Sequence, residues 1–289
     1  SDLKAAIYSL DPSTGTWSSN MLDGNSASGG VQEFALNYPR DYTVWQSWSD
    51  DLSDSGWAEI SPTIFARTQP ILSDIDFDND GSAIISFKDR TGDQLNWDNA
   101  RPTNINSLLS GFTEGDILRA RPTLDTLGRP ATFEMENAGI SSSGPALPIA
   151  RAGGSTNNGD GPGNGEFYQG DTQPNFGGHP ETSLGSTLFV PGRSEILFTS
   201  VDPSLFNSGG VVTLSNNDGA RSNRFTLYEN NGPKIGSGKS SGLGDLEALA
   251  EVAPVEIGNR VFFDADKDGI QDPGENPISG VTVELRDSS

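Results

Sequence analysis

Apolar residues in this chain recur in short runs of about four to eight, parted by clusters of Gly, Pro, Asn and Asp, and that spacing predicts many short strands. The clearest case runs from Ile71 to Phe87, where two apolar-rich stretches flank Asn79-Asp80-Gly81, a turn signal that predicts a hairpin. In a regular strand Asp74, Asp76 and Asp78 share one face, with Ile75 and Phe77 on the other. Carboxylates stacked in this way need water, a basic neighbour such as Arg90, or a cation. Asp76, Asp78, Asp80 and Gly81 also begin a calcium-loop pattern. Ile84 and Phe87 then occupy its later ligand positions, so a solvated turn is the preferred reading.

Further hairpins follow by the same logic. Ala5 to Leu10 pairs with Thr16-Trp17 across Asp11–Gly15, and Ile117–Leu124 with Pro130–Met135. Thr187–Val190 pairs with Ile196–Phe198, and Gly210–Leu214 with Arg224–Tyr228 across Asn216-Asn-Asp-Gly219. One stretch reads differently. Ile105, Leu108, Leu109 and Phe112 recur at helical spacing and predict a short helical turn, kept short by Gly111 and Gly115. Asp89 to Asn104 is polar, and Asp245 to Val252 reads as either a short helix or a closing strand. Gly153–Gly165, without one apolar residue, is a surface loop, and Ser237–Gly244 is a Gly/Ser-rich connection.

Trp45, Trp48 and Trp57 admit two readings, a sugar-stacking platform or packing between sheets, and packing is preferred because large aromatics dominate cores. About five or six strand pairs at intervals of roughly 40 residues come near the period of propeller blades. The expected fold class is therefore all-β, with a β-propeller-like domain over residues 1–253. A large sandwich and a β-helix remain open alternatives. Ala253-Pro254 marks the boundary with a second segment, 254–289.

That second segment holds the one stretch whose spacing names a chemistry. Asp264-Ala-Asp266-Lys-Asp268-Gly269-Ile270-Gln-Asp272-Pro-Gly-Glu275 fits D-x-[DN]-x-[DN]-G-x5-E without a mismatch. Calcium is a hard cation bound by about six to eight oxygens. Here Asp264, Asp266, Asp268, the Ile270 carbonyl, Asp272 and Glu275 would supply them, with Gly269 at the sharp turn. Five carboxylates in one loop repel one another without a cation. The flanks are not helical: Ile257 to Phe263 is β-branched and aromatic, while Val281, Val283 and Leu285 alternate with polar residues after Pro277 and Gly280. The loop is thus predicted to join two strands.

Residues 256–286, with the core I-G-N-x-V…D-x-D-x-D-G-I-Q-D-x-G-E, resemble the start of the SdrD-like B-type repeats of bacterial surface proteins. The resemblance implies a secreted or wall-attached protein whose immunoglobulin-like B repeats are stiffened into a stalk by calcium. Such a sandwich needs about seven strands. This chain ends after about two, so a fragment is expected, with strand addition by a partner as the alternative. Ser73–Gly81, His179-Pro-Glu-Thr182 and Gly242–Glu247 also resemble the region that precedes B repeats in such proteins, for which the resemblance implies a propeller of undefined activity.

Composition narrows the function. A net charge of −22 opposes nucleic acid or an anionic membrane as partner. There is no Cys, so metal rather than disulfide is the available staple for an extracellular chain. No run of the about 18 apolar residues that span a membrane occurs. The single histidine, His179, has no G-x-S-x-G elbow to serve and is read as a loop residue. Forty carboxylates allow an acid/base pair to be drawn in many places. Glu166, Tyr168, Asp171, His179 and Glu181 are the best candidates for a polar pocket, with Asp245 and Glu247 as possible additions.

The resulting expectation is a non-catalytic, extracellular structural or adhesive protein at a bacterial surface. Calcium is its expected cofactor. Identical subunits, other surface proteins or extracellular glycans are its expected partners. The alternative is a secreted carbohydrate-binding or carbohydrate-active protein with the B-type segment as spacer.

Overall fold

A computed structural model describes residues 3–11, 14–18, 33–36, 38, 40, 42–78, 81–101, 104–124, 130–135, 140–141, 151–152, 161, 166–172, 181–190, 192–229, 241–249, 261–263 and 276–283. The chain divides into two compact units. One comprises Ser1–Tyr8 and Ser19–Ala248, the other Ser9–Ser18 and Leu249–Ser289.

In the larger unit, strand β1 (Lys4–Ala6) opens the chain; β2 (Ser9–Asp11) and β3 (Thr16–Ser18) form a hairpin in the smaller unit; and β4 (Glu33–Ala35) pairs antiparallel with β1. Strands β5 (Ala58–Ser61) and β6 (Ile64–Ala66) precede the long hairpin β7 (Pro70–Phe77) and β8 (Ala83–Asp89). A short helix α1 (Arg90–Leu95) leads to β9 (Asn99–Arg101) and β10 (Asn104–Phe112), which join β5 and β6 in the order β5-β6-β10-β9. Next come β11 (Asp116–Leu124) and β12 (Pro130–Met135), then a two-residue pair, β13 (Ile140–Ser141) with β14 (Arg151–Ala152). A 3-10 turn over Gln169–Asp171 precedes an antiparallel meander of β15 (Ser183–Phe189), β16 (Glu195–Val201), β17 (Ser208–Ser215) and β18 (Arg221–Glu229).

The sheet β12-β11-β8-β7 lies at the centre of this unit, because alternate residues of its inner strands enter two different cores. Ala83, Ile85 and Phe87 of β8, with Leu118 and Ala120 of β11, pack against Ala5, Ile7, Leu36, Tyr38 and Trp45. Ile84 and Ile117 point the other way, to Phe167, Tyr168 and the Phe189, Ile196, Phe198, Val212 and Leu214 of the meander. Buried on both faces, β8 carries apolar residues on each, Ala83-Ile84-Ile85 and Phe87, with only the buried Ser86 between them. Each fully buried aromatic or aliphatic side chain stabilises by about 1.5–3 kcal/mol.

The meander is fastened to this central sheet by polar contacts of β7. The Asp74 carboxylate accepts the Thr187 N–H at 2.7 Å and the Thr187 hydroxyl at 3.1 Å, and Asp76 accepts the Phe189 N–H. Ser73 donates to the Gly185 carbonyl at 2.5 Å. Asp78 does not continue the row. It is buried and ion-paired with the buried Arg119, which stacks on Phe167 with its guanidinium carbon 4.9 Å from the ring centroid. The carboxylates of β7 therefore find backbone and hydroxyl donors, and Asp78 just beyond it finds Arg119, rather than Arg90, which pairs with Asp50 at 2.6 Å. Of the calcium-loop beginning read from the sequence, Asp76 and Asp78 are engaged in these contacts, and Asp80 lies outside the described residues.

The all-β expectation holds, and the hairpins β7–β8, β11–β12, β15–β16 and β17–β18 form where turn chemistry predicted them. Several local expectations do not. Residues 104–112 form β10, not a helical turn: Ser110 N–H bonds to the Thr63 carbonyl at 2.7 Å, and β10 runs parallel to β6. The one helix among the described residues is α1, in the stretch read as merely polar, where the Asp89 carboxylate caps the Thr91 N–H at 2.9 Å. It rests on Gly111, where a Cβ would come within 2.7 Å of the Thr91 carbonyl. Trp45 is buried as preferred, but Trp57 is half-buried and Trp48 is 60% exposed. Residues 245–249 are neither helix nor strand, and 281–283 are exposed and unpaired with any strand. Neither a ring of like blades nor a closed barrel is formed by the described sheets, so the propeller is not established.

Candidate metal centre

Four carboxylates meet inside the larger unit. Asp116, Glu166, Asp171 and Glu181 each place an oxygen within 4.8 Å of the others, and all four are buried. They come from three parts of the chain: the first residue of β11, the segment through the 3-10 turn, and the approach to β15.

Each part is held in place by identifiable bonds. The 3-10 turn is gripped by Arg221 of β18, which donates to the Gly170 carbonyl at 2.7 Å and the Thr172 carbonyl at 2.8 Å. The Asn216–Gly219 turn completes the grip. Gly170 N–H bonds to the Gly219 carbonyl at 3.0 Å, and Tyr168 donates its hydroxyl to the Asn216 side chain. Gly219 has φ +71°, and a Cβ there would lie 1.5 Å from the Phe167 carbonyl oxygen, so only glycine fits. The Thr182 hydroxyl donates to the Asp171 carbonyl, tying the approach to β15 to the turn.

A buried cation is bonded into the nest. Arg40, fully buried, reaches Asp116 at 3.0 Å and Glu181 at 3.1 Å and donates to the Gly115 carbonyl at 2.6 Å. It packs over Trp45, 5.2 Å from the ring centroid. Burial alone would weaken its charge. Asp116 and Glu181, with smaller help from Tyr38 and Glu114, more than offset that and raise its pKa well above the usual value. Tyr38 donates to Asp116 at 2.8 Å, and burial followed by the Asp116 charge raises its pKa well above the ordinary phenol range.

The balance of charge is the chemical fact about this site. Two like charges at this separation repel by roughly 3–4 kcal/mol at an effective dielectric constant of about 20. The Arg40 guanidinium by itself cannot compensate four ionised carboxylates, and Arg221 acts on Asp171 only through space, since its N–H groups bond backbone carbonyls. The strain falls on Asp171. Neither of its oxygens receives a hydrogen bond. Burial, then the Glu166, Glu181 and Asp116 carboxylates, push its pKa well above the usual carboxylate range. Such a cluster either shares protons or holds a hard cation.

Three of the residues singled out from the sequence, Glu166, Asp171 and Glu181, are thus brought together. Tyr168 is buried against Phe167 instead, with its hydroxyl on Asn216. His179 lies outside the described residues. Asp245 and Glu247 do not join: they are exposed, and Asp245 acts electrostatically on Asp74. Asp116, Arg40 and Tyr38 went unnoticed in the sequence, where no local pattern marks them.

The loop ligands Asp264, Asp266, Asp268, Ile270, Asp272 and Glu275 lie outside the described residues. Their flanks are described. Phe262 pairs antiparallel with Pro277, Phe263 N–H bonds to the Asn276 carbonyl at 3.0 Å, and Ile278 N–H bonds to the Val261 carbonyl at 2.7 Å. The residues that flank the twelve-residue pattern on either side, Phe263 and Asn276, are therefore held side by side. Residues 255–289 match the SdrD B-like domain family.

The SdrD B-like segment ends a β-rich chain that is similar over most of its length to proteins of Dictyostelium discoideum. It is 29% identical to Colossin-A over 288 residues, 98% of this chain and 2% of that protein. It is 30% identical to Colossin-B over 244 residues and to Colossin-C over 249, in each case 84% of this chain. The chain spans 6% of Colossin-B and 21% of Colossin-C, a small part of each relative. No solved structure matches it. The B-type resemblance is upheld, while the bacterial source implied with it is not supported, because these relatives are eukaryotic. Together the SdrD B-like domain and the Colossin relatives point to a surface or structural β-rich protein. Among the described residues, no helix is long and apolar enough to cross a membrane.

Proposed function

We propose that this chain is the non-catalytic, β-rich head of an extracellular structural or adhesive protein, followed by a calcium-stabilised SdrD B-like stalk. The observation that carries the reading is the complete calcium-loop pattern from Asp264 to Glu275, lying inside the SdrD B-like match and bounded by hydrogen-bonded flanks. The partners are identical subunits, other surface proteins or extracellular glycans. A net charge of −22 favours cations and disfavours polyanions.

Thermal unfolding in calcium and in excess chelator tests this. Calcium at about 100 times its Kd adds about 2.7 kcal/mol to a protein that binds it only when folded. The wild-type chain is expected to gain more than a loop variant carrying Asp268→Asn and Glu275→Gln. Equal gains would remove the loop from the account.

A second reading, carbohydrate recognition, is favoured by Trp48. Its ring is 60% exposed while its Nε1 is anchored on the Pro70 carbonyl at 2.9 Å. Glycan-array binding that is lost in Trp48→Ala would favour it over the structural reading.

A further inference from the structure

We propose that Asp116, Glu166, Asp171 and Glu181 form a second divalent-cation site, of calcium's class, buried in the head and independent of the 264–275 loop. The dimensions fit. Calcium binds oxygen at about 2.3–2.6 Å, so ligands on opposite sides of it stand about 4.6–5.2 Å apart. The four carboxylate oxygens all lie within 4.8 Å of one another. The donor set is also of the right kind: every ligand is a hard carboxylate oxygen, which selects calcium, magnesium or manganese over the nitrogen- and sulfur-loving metals.

Charge and hydrogen bonding point the same way. Arg40 ion-pairs with Asp116 and Glu181, and Arg221 acts on Asp171 only through space, its N–H groups donating to the Gly170 and Thr172 carbonyls. Asp171 has no solvent exposure, and both its oxygens lack a hydrogen-bond donor while lying inside the ring of carboxylates. A buried carboxylate left in that state costs free energy that a bound cation would return. The bond network already described explains how the backbone is placed but supplies nothing to these oxygens.

The ion would act as a staple. It would join the start of β11, the 3-10 turn and the approach to β15, which are separated by up to 65 residues of chain in a protein without cysteine. With all four residues buried, the ion enters as the unit folds and has no face open to a substrate.

The experiment uses the full chain carrying the loop substitutions Asp268→Asn and Glu275→Gln, so that its failure is separate from that of the loop. After chelation the variant is titrated with calcium, magnesium and manganese in turn while its melting temperature is followed. Terbium is added in parallel with excitation of Tyr and Trp, since Tyr38 bonds directly to Asp116. The expected result is a rise in melting temperature with at least one of the three cations, and sensitised terbium emission displaced by that cation. Adding Asp171→Asn should weaken binding roughly tenfold or more, because affinity follows ligand charge. A loop variant that is silent to all three cations and to terbium overturns the proposal, and so does an Asp171→Asn chain that binds as before. Should Asp171→Asn not fold, Glu166→Gln replaces it, and the terbium signal of the loop variant still decides.

Discussion

Asp74 and Thr187, 113 residues apart in the chain, are joined by two hydrogen bonds to one carboxylate oxygen, from the Thr187 N–H at 2.7 Å and its hydroxyl at 3.1 Å. The same arrangement recurs two residues on, between Asp76 and the Phe189 N–H. Side chains of β7 thus satisfy the backbone of β15, which pairs on its other edge with β16. Replacing either aspartate by alanine leaves a buried or half-buried N–H without its acceptor. A loss of about 1–3 kcal/mol is expected for each. Asp74→Asn should lose less, since it keeps a carbonyl acceptor. Urea unfolding with an unchanged m-value measures it. Alanine variants as stable as wild type would show that these carboxylates do not fasten the meander.

The buried pair Arg119–Asp78 is a different kind of contact. Both side chains are almost wholly out of water, and Arg119 also donates to the Asn216 carbonyl at 3.3 Å. Breaking a buried pair on one side strands the other charge and costs about 3–5 kcal/mol. Arg119→Met alone should therefore be more damaging than Arg119→Met combined with Asp78→Asn. A double-mutant cycle by chemical denaturation checks it, and additive losses would refute the coupling.

Asp89 carries a pH dependence. It is fully buried and accepts the N–H groups of Gln69, Thr91 and Glu114, yet burial outweighs those bonds and raises its pKa to about 6. An unfolded chain has a value of about 3.9. The folded state therefore favours the protonated carboxyl: its stabilising contribution is full below about pH 4 and is lost as pH rises through about 6. The shift is equivalent to about 3 kcal/mol. Relative to Asp89→Asn, wild type should lose about that much between pH 4 and pH 7, read from unfolding midpoints of both proteins across the range. Parallel curves would remove Asp89 as the source.

Gly219 holds the turn that grips the segment bearing Glu166 and Asp171. Its positive φ of +71° costs a side-chain-bearing residue about 1–2 kcal/mol before any contact is counted. The Cβ would also collide with the Phe167 carbonyl. Gly219→Ala is expected to lower stability by more than that strain alone. By contrast, Gly192→Ala has an equally left-handed φ of +81° but meets nothing within 4 Å, and should cost the strain only. Equal losses in the two variants, compared by thermal unfolding, would show that the close approach at Gly219 is unimportant.

Much of this architecture is written in local chemistry. The hairpin at Asn79-Asp80-Gly81, the turn at Asn216–Gly219 and the strands β11, β12, β15 and β16 follow from residues that meet within a few positions of one another. The acidic stretch that supplies Glu166, Asp171 and Glu181 was visible for the same reason. What the sequence alone left undecided depends on partners far along the chain. Residues 104–112 have helical spacing, but β6, β9 and α1 surround them and make them a strand. The nest of carboxylates becomes one only when Asp116 arrives from β11 and Arg40 from 75 residues before Gly115, the carbonyl it bonds. Turn and strand preferences are properties of neighbouring residues, whereas the meeting of charges is set by how sheets stack, and only the folded chain brings Asp116 and Arg40 to Asp171.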